Sequence, residues 1–356
     1  MKKVDIFLLL IVIFLTLFGL LMIFEASSVI SFRDFCDKYH YIRDQSLWSV
    51  IGFVGMSFFS YYNYKKLYNL SLPLLIAAII LLILVFFPGI GVLLLGARRW
   101  INTGFFLIQP AEFVKLALTI YLSAWFSHKE KGRFLAFLLL LGFVLILVML
   151  EPDMGTAGII LFEAVLIYFL SGGSIMHFAF VVPIVAIVGF LLIKFEPYRL
   201  ARLTAFMNVG ESLENSSYHV KQILIALGVG GITGVGLGNS LQKYAYLPEN
   251  TTDSIFAIIA EEIGLIGSLV LIFSFILFIW RGFAIAAKTS DKFGKLLAGG
   301  ITSFLAIQML INLGAQTALI PFTGVPLPFI SYGGSALVVD LCSVGILLNI
   351  SRQSKL

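Results

Sequence analysis

The sequence predicts an all-α polytopic membrane protein of about ten transmembrane helices with both termini in the cytoplasm. Three observations carry this reading. Of the 356 residues, 60% are hydrophobic and only 12% are charged, too few charges for a soluble surface of that size. The mean hydropathy is +1.03. Apolar runs near the length needed to cross about 30 Å of hydrocarbon, roughly 20 residues, recur along the chain. Little between them is large enough to fold separately, so residues 1–356 read as one integral membrane domain.

In order, the runs lie at roughly 4–24, 45–60, 72–87, 110–127, 134–150, 156–171, 178–194, 255–281, 295–320 and 335–350. Lys2 and Lys3 ahead of the first run imitate a signal peptide. The run is too long and lacks a small-residue cleavage site, so it is expected to stay as the first helix. Threaded alternately from a cytoplasmic N-terminus, the inner segments hold Lys65, Lys66, Lys129, Lys131, Arg133, Arg281, Lys288, Lys292, Lys295, Arg352 and Lys355. Against these stand only Asp5, Glu130 and Asp291. That excess on one side is the positive-inside pattern. The net charge of +5 is dispersed among these clusters, which excludes a nucleic-acid partner.

Two outer segments are longer than a turn requires. Residues 88–110 mix Gly, Pro and aromatics with the pair Arg98 and Arg99. Residues 195–254, ahead of the eighth span, are the longest non-spanning stretch, and their apolar content predicts interfacial or re-entrant pieces packed on the bundle. The glycine-rich run 228–240 follows no strand and lacks the dinucleotide spacing, so it is read as close backbone packing or an interfacial turn. Cys36 and Cys342 fall in an outer loop and a span, too far apart in topology for a disulfide. No internal repeat is visible.

Asp253 is the first candidate for chemistry. It precedes an apolar run, where it is either a helix cap, together with Thr251 or Thr252, or a catalytic carboxylate. Glu261 and Glu262 follow about two turns later and need a cavity, a cation or the interface. Glu112 and Lys115 stand three apart behind Pro110, spaced either to neutralise each other or to leave Lys115 as a cation for an anionic substrate. Asp153, in EPDMGTAG (151–158), is a turn former or a site residue. The Pro- and Gly-rich segment 320–340 is irregular backbone that membrane depth tolerates only where it is buried in protein or lines a cavity. Glu163 and Asp340 lie within spans and require partners. None of the four His residues has metal-ligand spacing, so no metal site is expected.

Taken together and in order, these segments resemble the SEDS family, the shape, elongation, division and sporulation proteins of the FtsW, RodA and SpoVE type. The resemblance rests on GARRWI (96–101), QPAEFVK (109–115), EPDMGTA (151–157), residues 221–264 and PFTGVPLPFISYGGS (321–335), and it spans essentially the whole chain. It implies a peptidoglycan glycosyltransferase that polymerises lipid II at the outer face of the bacterial cytoplasmic (inner) membrane. It also implies partnership with a class B penicillin-binding protein in a cell-elongation or cell-division complex. The family's essential acid maps onto Asp253, and its other sensitive positions map onto Arg98, Arg99, Glu112, Lys115 and Asp153. The chain departs from the family pattern at Thr251, where His is common, at Ser254, where Phe is common, and at Asp340.

The chemistry implied is displacement of a lipid diphosphate by a sugar 4-hydroxyl. A diphosphate leaves without protonation, so one carboxylate base suffices where glycosidases use two. Asp253 would be that base, the reaction inverting, with Arg98, Arg99 and Lys115 holding the diphosphate. A divalent cation would be able to share that task, although no ligand cluster specifies one. The alternative is a lipid II flippase that moves the same headgroup with the same cations. A scaffold that only docks a synthase leaves Asp253 and Lys115 without a purpose.

Overall fold

The computed structural model describes residues 4–94, 96–104, 106–128, 132–207, 215–244 and 251–354. Lys2, Lys3, Lys129, Glu130, Lys131 and Lys355 of the charge pattern lie outside the described residues, as do 208–214 and 245–250 of the long outer stretch.

The helices are α1 (Ile6–Phe35), α2 (His40–Tyr61), α3 (Lys65–Leu84), α4 (Pro110–Ser127), α5 (Phe134–Leu150), α6 (Met154–Leu170) and α7 (Ile175–Phe195). They continue as α8 (Pro197–Met207), α9 (Asn215–Gly230), α10 (Ile255–Lys288), α11 (Lys292–Gln316) and α12 (Gly334–Gln353). The fold is that of a polytopic membrane protein, and each expected apolar run overlaps a described helix. Six of the described helices are long and apolar enough to cross a membrane: α1, α3, α7, α10, α11 and α12. Helices α5 and α6 are apolar but have 17 residues each. Helix α1 runs to Phe35, past the expected end at 24, because polar residues end a hydrocarbon crossing without ending a helix.

Helices α11 and α12 are buried along most of their length, whereas α7 has no buried side chain among its described residues. The difference follows composition: the central pair carries Gly, Ser, Thr, Asn and Gln, which pack and hydrogen-bond between helices, while α7 is apolar all round. Helices α2 and α12 approach so closely that a Cβ on Gly345 would stand 2.4 Å from the Met56 carbonyl oxygen. One core gathers α1, α10, α11 and α12, and a second gathers α3 to α6. Far from the site described below, Asp5 accepts from Arg281 at 2.5 Å and its N–H donates to Ser351 Oγ at 3.2 Å.

The all-α expectation is corrected between α3 and α4. There the chain forms an antiparallel sheet in the order β1 (Gly91–Leu94), β2 (Ala97–Asn102), β3 (Leu107–Ile108), with Ile101 opposite Ile108. The strands are too short to show a clear alternation, and the ladder pairs the backbone groups of this outer segment with one another.

The stretch 195–254 contributes α8 and α9, and then a strap, 231–244, folded against the start of α10. Helix α10 is broken at Gly264, at φ 68 and ψ −169, a conformation open essentially to glycine. The strap takes up the freed backbone groups. Val235 and Gly236 N–H donate to the Glu261 and Glu262 carbonyls at 3.0 Å each. On the far side, Leu265 and Ile266 N–H donate to Gly231 and Ile232 at 2.9 and 3.1 Å. The close backbone packing expected of the glycine run is this pairing.

Candidate active site

The site forms around the irregular segment 320–333, which connects α11 to α12 and lies against the starts of α6 and α10. An amide stripe on α11 holds it. Gln308, Asn312 and Gln316 stand four apart on one helix face. Gln308 Nε2 donates to the Pro326 carbonyl at 3.1 Å. Asn312 Nδ2 donates to the Val325 carbonyl at 2.7 Å and to that of Asp253 at 3.0 Å. Gln316 steadies Asn312 at 2.6 Å and accepts from Ala257 N–H at 2.8 Å. On the other flank Ser331 Oγ donates to the Thr252 carbonyl at 2.6 Å, Tyr332 N–H to that of Thr251 at 2.9 Å, and Tyr332 OH to Asp44 at 2.6 Å. Phe329 is left-handed at φ 64, and its ring packs on Phe278.

Asp253 belongs to this frame. Ser254, not Asp253, Thr251 or Thr252, occupies the N-cap position of α10, and no side chain caps the helix there. The cap reading of Asp253 is therefore replaced by a different placement. Its backbone carbonyl is fixed by Asn312, and its Oδ2 lies 3.2 Å from where a Cβ on Gly324 would stand. The carboxylate is half-buried beside the loop.

Lys115 and Glu112 lie deeper, 0% and 2% exposed, with Nζ 2.7 Å from Glu112 Oε2. Lys115 also donates to Gln308 Oε1 at 2.7 Å. Glu163, which accepts from Thr119, and Asp340 both lie within electrostatic reach of the same ammonium. These are the partners that the sequence left unnamed. Lys115 thus serves three buried carboxylates, as a lone cation in hydrocarbon must be served in return.

Asp153 caps α6, accepting from Thr156 N–H at 3.0 Å and Thr156 Oγ1 at 2.8 Å, and takes Gln109 Nε2 at 3.2 Å. Two residues on, a Cβ on Gly155 would meet Val325 Cγ2 at 2.6 Å. Asp153 and Asp253 therefore stand by the same short piece of loop, 323–325. Arg99 on β2 clamps this corner, donating to the Glu151 carbonyl at 2.9 Å and the Pro152 carbonyl at 2.6 Å. Arg98 points elsewhere, donating to Phe86 at 3.4 Å. Burial, and then the neighbouring Asp153 charge, push the Glu151 carboxyl up to about 9, against the opposing pull of Arg99.

Glu261 and Glu262 anchor the strap. Glu261 accepts from Ser240 Oγ and from the N–H groups of Leu241 and Gln242 at 3.1 and 3.4 Å. Glu262 pairs with Lys243 at 3.2 Å, and Lys243 reaches Glu25 at 3.6 Å. Among the described residues, no three His, Cys, Asp or Glu side chains are grouped as a metal site.

Sequence reasoning missed Arg202 and His219, which reach Phe322 at the start of the loop, and it passed over the α11 amides. The amides carried a readable signal, three polar residues at i, i+4 spacing in an apolar helix; the other two carried none.

Residues 6–356 match the cell cycle protein family of FtsW, RodA and SpoVE. The chain is 39% identical to stage V sporulation protein E of Bacillus subtilis over 358 residues, covering 99% of this chain and 98% of that one. It is 36% identical over 359 residues to the probable peptidoglycan glycosyltransferase FtsW of a Geobacter species, covering 99% and 97%. The solved structure of the rod shape determining protein RodA of Thermus thermophilus superposes with a TM-score of 0.73 at 25% identity, covering 99% and 98% of the two chains.

Proposed function

The chain belongs to the FtsW, RodA and SpoVE family of cell cycle proteins, and from that membership we propose that it is a peptidoglycan glycosyltransferase polymerising lipid II. The observation that carries the reading is Asp253: a carboxylate at the mouth of the 320–333 loop, excused from helix capping and fixed through its own carbonyl.

The reaction is a single displacement. The Asp253 carboxylate takes the proton of a sugar 4-hydroxyl as that oxygen bonds to the anomeric carbon of a second lipid-linked glycan. The carbon–oxygen bond to the diphosphate breaks on the opposite face, the electron pair leaves with the diphosphate, and the configuration inverts. Asp253 then returns its proton to water. Asp153 forms the polar rim that orients the substrates, with Arg99 holding the 151–152 turn that carries it. Glu112 and Lys115 act from beneath, through Gln308 and the Pro326 carbonyl, by fixing the loop on which the sugars rest.

In this reading ten helices cross the bacterial cytoplasmic membrane and the site faces outward. The contact of Asp5 with Ser351 supports termini on one side, and the lysines and arginines near the ends of α10, α11 and α12 support the cytoplasm as that side. The partner is a class B penicillin-binding protein, as the family resemblance implies.

The deciding experiment supplies lipid II to the purified chain with its partner. Polymer from wild type and none from folded Asp253→Ala sustains the enzyme. Undiminished polymer from Asp253→Ala removes the general base, and lipid II translocation in vesicles without polymer would favour a transporter.

A further inference from the structure

Phe322 carries a polar group on each side. From α8, the Arg202 guanidinium lies over its ring at 5.6 Å and donates to its carbonyl at 3.1 Å. From α9, the His219 ring meets it at 4.2 Å, with Nε2 2.8 Å from Ser254 Oγ, next to Asp253. Two helices of the long stretch ahead of α10 are thereby tied to one aromatic residue of the loop. The point that a Cβ on Gly324 would occupy is 3.2 Å from Asp253 Oδ2 and 3.9 Å from Arg202 Nη1, so the carboxylate and the guanidinium address the same space.

A base must sit within hydrogen-bond reach of the attacking hydroxyl, and that oxygen within a near-attack distance of the anomeric carbon. Together these put the carbon about 6 Å from the carboxylate, with the leaving phosphate bonded to it. Two cations near the site, Lys115 and Arg99, are engaged with protein groups. Lys115 is fully buried against Glu112 and Gln308, and Arg99 serves two carbonyls of the 151–152 turn. A guanidinium presents five donors on a rigid planar fork, so it can serve a carbonyl, a carboxylate and phosphate oxygens together.

We propose that Arg202 is a further substrate-binding residue, holding the diphosphate of the lipid-linked donor beside Asp253 and stabilising it as it leaves. The assignment rests on the glycosyltransferase reading. Phe322 sets the position of the guanidinium by ring and carbonyl, which lets the loop present base and anion holder in one piece.

The test measures the affinity of the full chain in detergent for farnesyl diphosphate and farnesyl monophosphate. Wild type is expected to prefer the diphosphate. Arg202→Ala should weaken diphosphate binding about tenfold or more while changing monophosphate binding less, since a charge-assisted hydrogen bond contributes about 1.5–3 kcal/mol. Arg202→Lys should restore part of it, and the exposed Arg33→Ala should bind as wild type. If Arg202→Ala does not fold, Arg202→Gln, which keeps a donor for the Phe322 carbonyl, makes the comparison. Equal diphosphate affinity in wild type and a folded Arg202 variant, or no diphosphate preference in wild type, overturns the proposal. A role confined to positioning Asp253 would shift the pH profile of polymerisation and leave the diphosphate preference intact, which also overturns it. The two readings fail separately: inactive Asp253→Ala beside unaltered diphosphate binding in Arg202→Ala removes only this inference, and active Asp253→Ala removes the base.

Discussion

Lys115 Nζ donates to Gln308 Oε1 at 2.7 Å, and the same amide passes a hydrogen bond from its nitrogen to the Pro326 carbonyl at 3.1 Å. A lysine at the centre of the bundle is therefore two hydrogen bonds from the loop that bears the candidate active site. Replacing it leaves Glu112, Glu163 and Asp340 buried without their cation. Lys115→Met is expected to destabilise the protein by about 3–5 kcal/mol, as breaking a buried pair from one side does. Adding Glu112→Gln should recover part of the loss. Thermal unfolding of both variants in detergent checks this; a single variant as stable as wild type would show that the ammonium is not needed for the fold.

Asp253→Asn is expected to behave in the opposite way. Asn312 holds residue 253 through its carbonyl, which the substitution keeps. The unfolding midpoint should hold, while the polymerisation rate falls about 10²–10⁴-fold, the usual contribution of a positioned base. Asn312→Ala should lower both quantities, because it strands the Asp253 and Val325 carbonyls at about 1–3 kcal/mol for a buried unsatisfied group.

Glu151 predicts a pH dependence. Its folded-state pKa of about 9 lies above the ordinary 4.5, so the folded protein keeps a proton that the unfolded chain releases. Its contribution to stability is complete below about 4.5 and declines as pH rises toward 9. Glu151→Gln lacks that decline. The unfolding midpoint of the variant should gain on wild type between pH 5 and pH 9, and parallel pH curves would contradict the assignment.

Gly264 is the fourth case. At φ 68 and ψ −169 an alanine carries strain of about 1–3 kcal/mol, and its Cβ would stand 2.3 Å from the Gly234 nitrogen. Gly264→Ala should lower the unfolding midpoint by more than Gly228→Ala, where the added methyl meets nothing within 4 Å. Equal effects would mean that the strap does not depend on the close approach.

Much of the fold was legible because hydrocarbon thickness imposes a length on every crossing. The bounds of α4 and α5 coincide with those read from the apolar runs at 110–127 and 134–150. The Glu112–Lys115 pair and the irregular 320–340 segment were also visible as features that membrane depth penalises, and Asp153 and Asp253 as acids in polar turns where apolar runs begin. What was hidden depends on distance along the chain. Arg202 meets Phe322 across 120 positions, and His219 meets Ser254 across 35. No local pattern encodes such contacts. The break at Gly264 was hidden for another reason: AEEIG reads as continuing helix until the 231–236 backbone arrives to replace the lost bonds.

That replacement decides how α10 behaves mechanically. A helix interrupted by glycine is ordinarily a hinge, free to bend because its unpaired carbonyls trade partners at little expense. Here both sides of the interruption are stitched to the same six-residue stretch, 231–236, through four backbone hydrogen bonds. Bending at Gly264 must break several of them at once. The joint is an elbow set at a fixed angle, and a tilt of the long distal arm, whose Arg281 is tethered to Asp5, reaches Asp253 as rotation of one rigid piece.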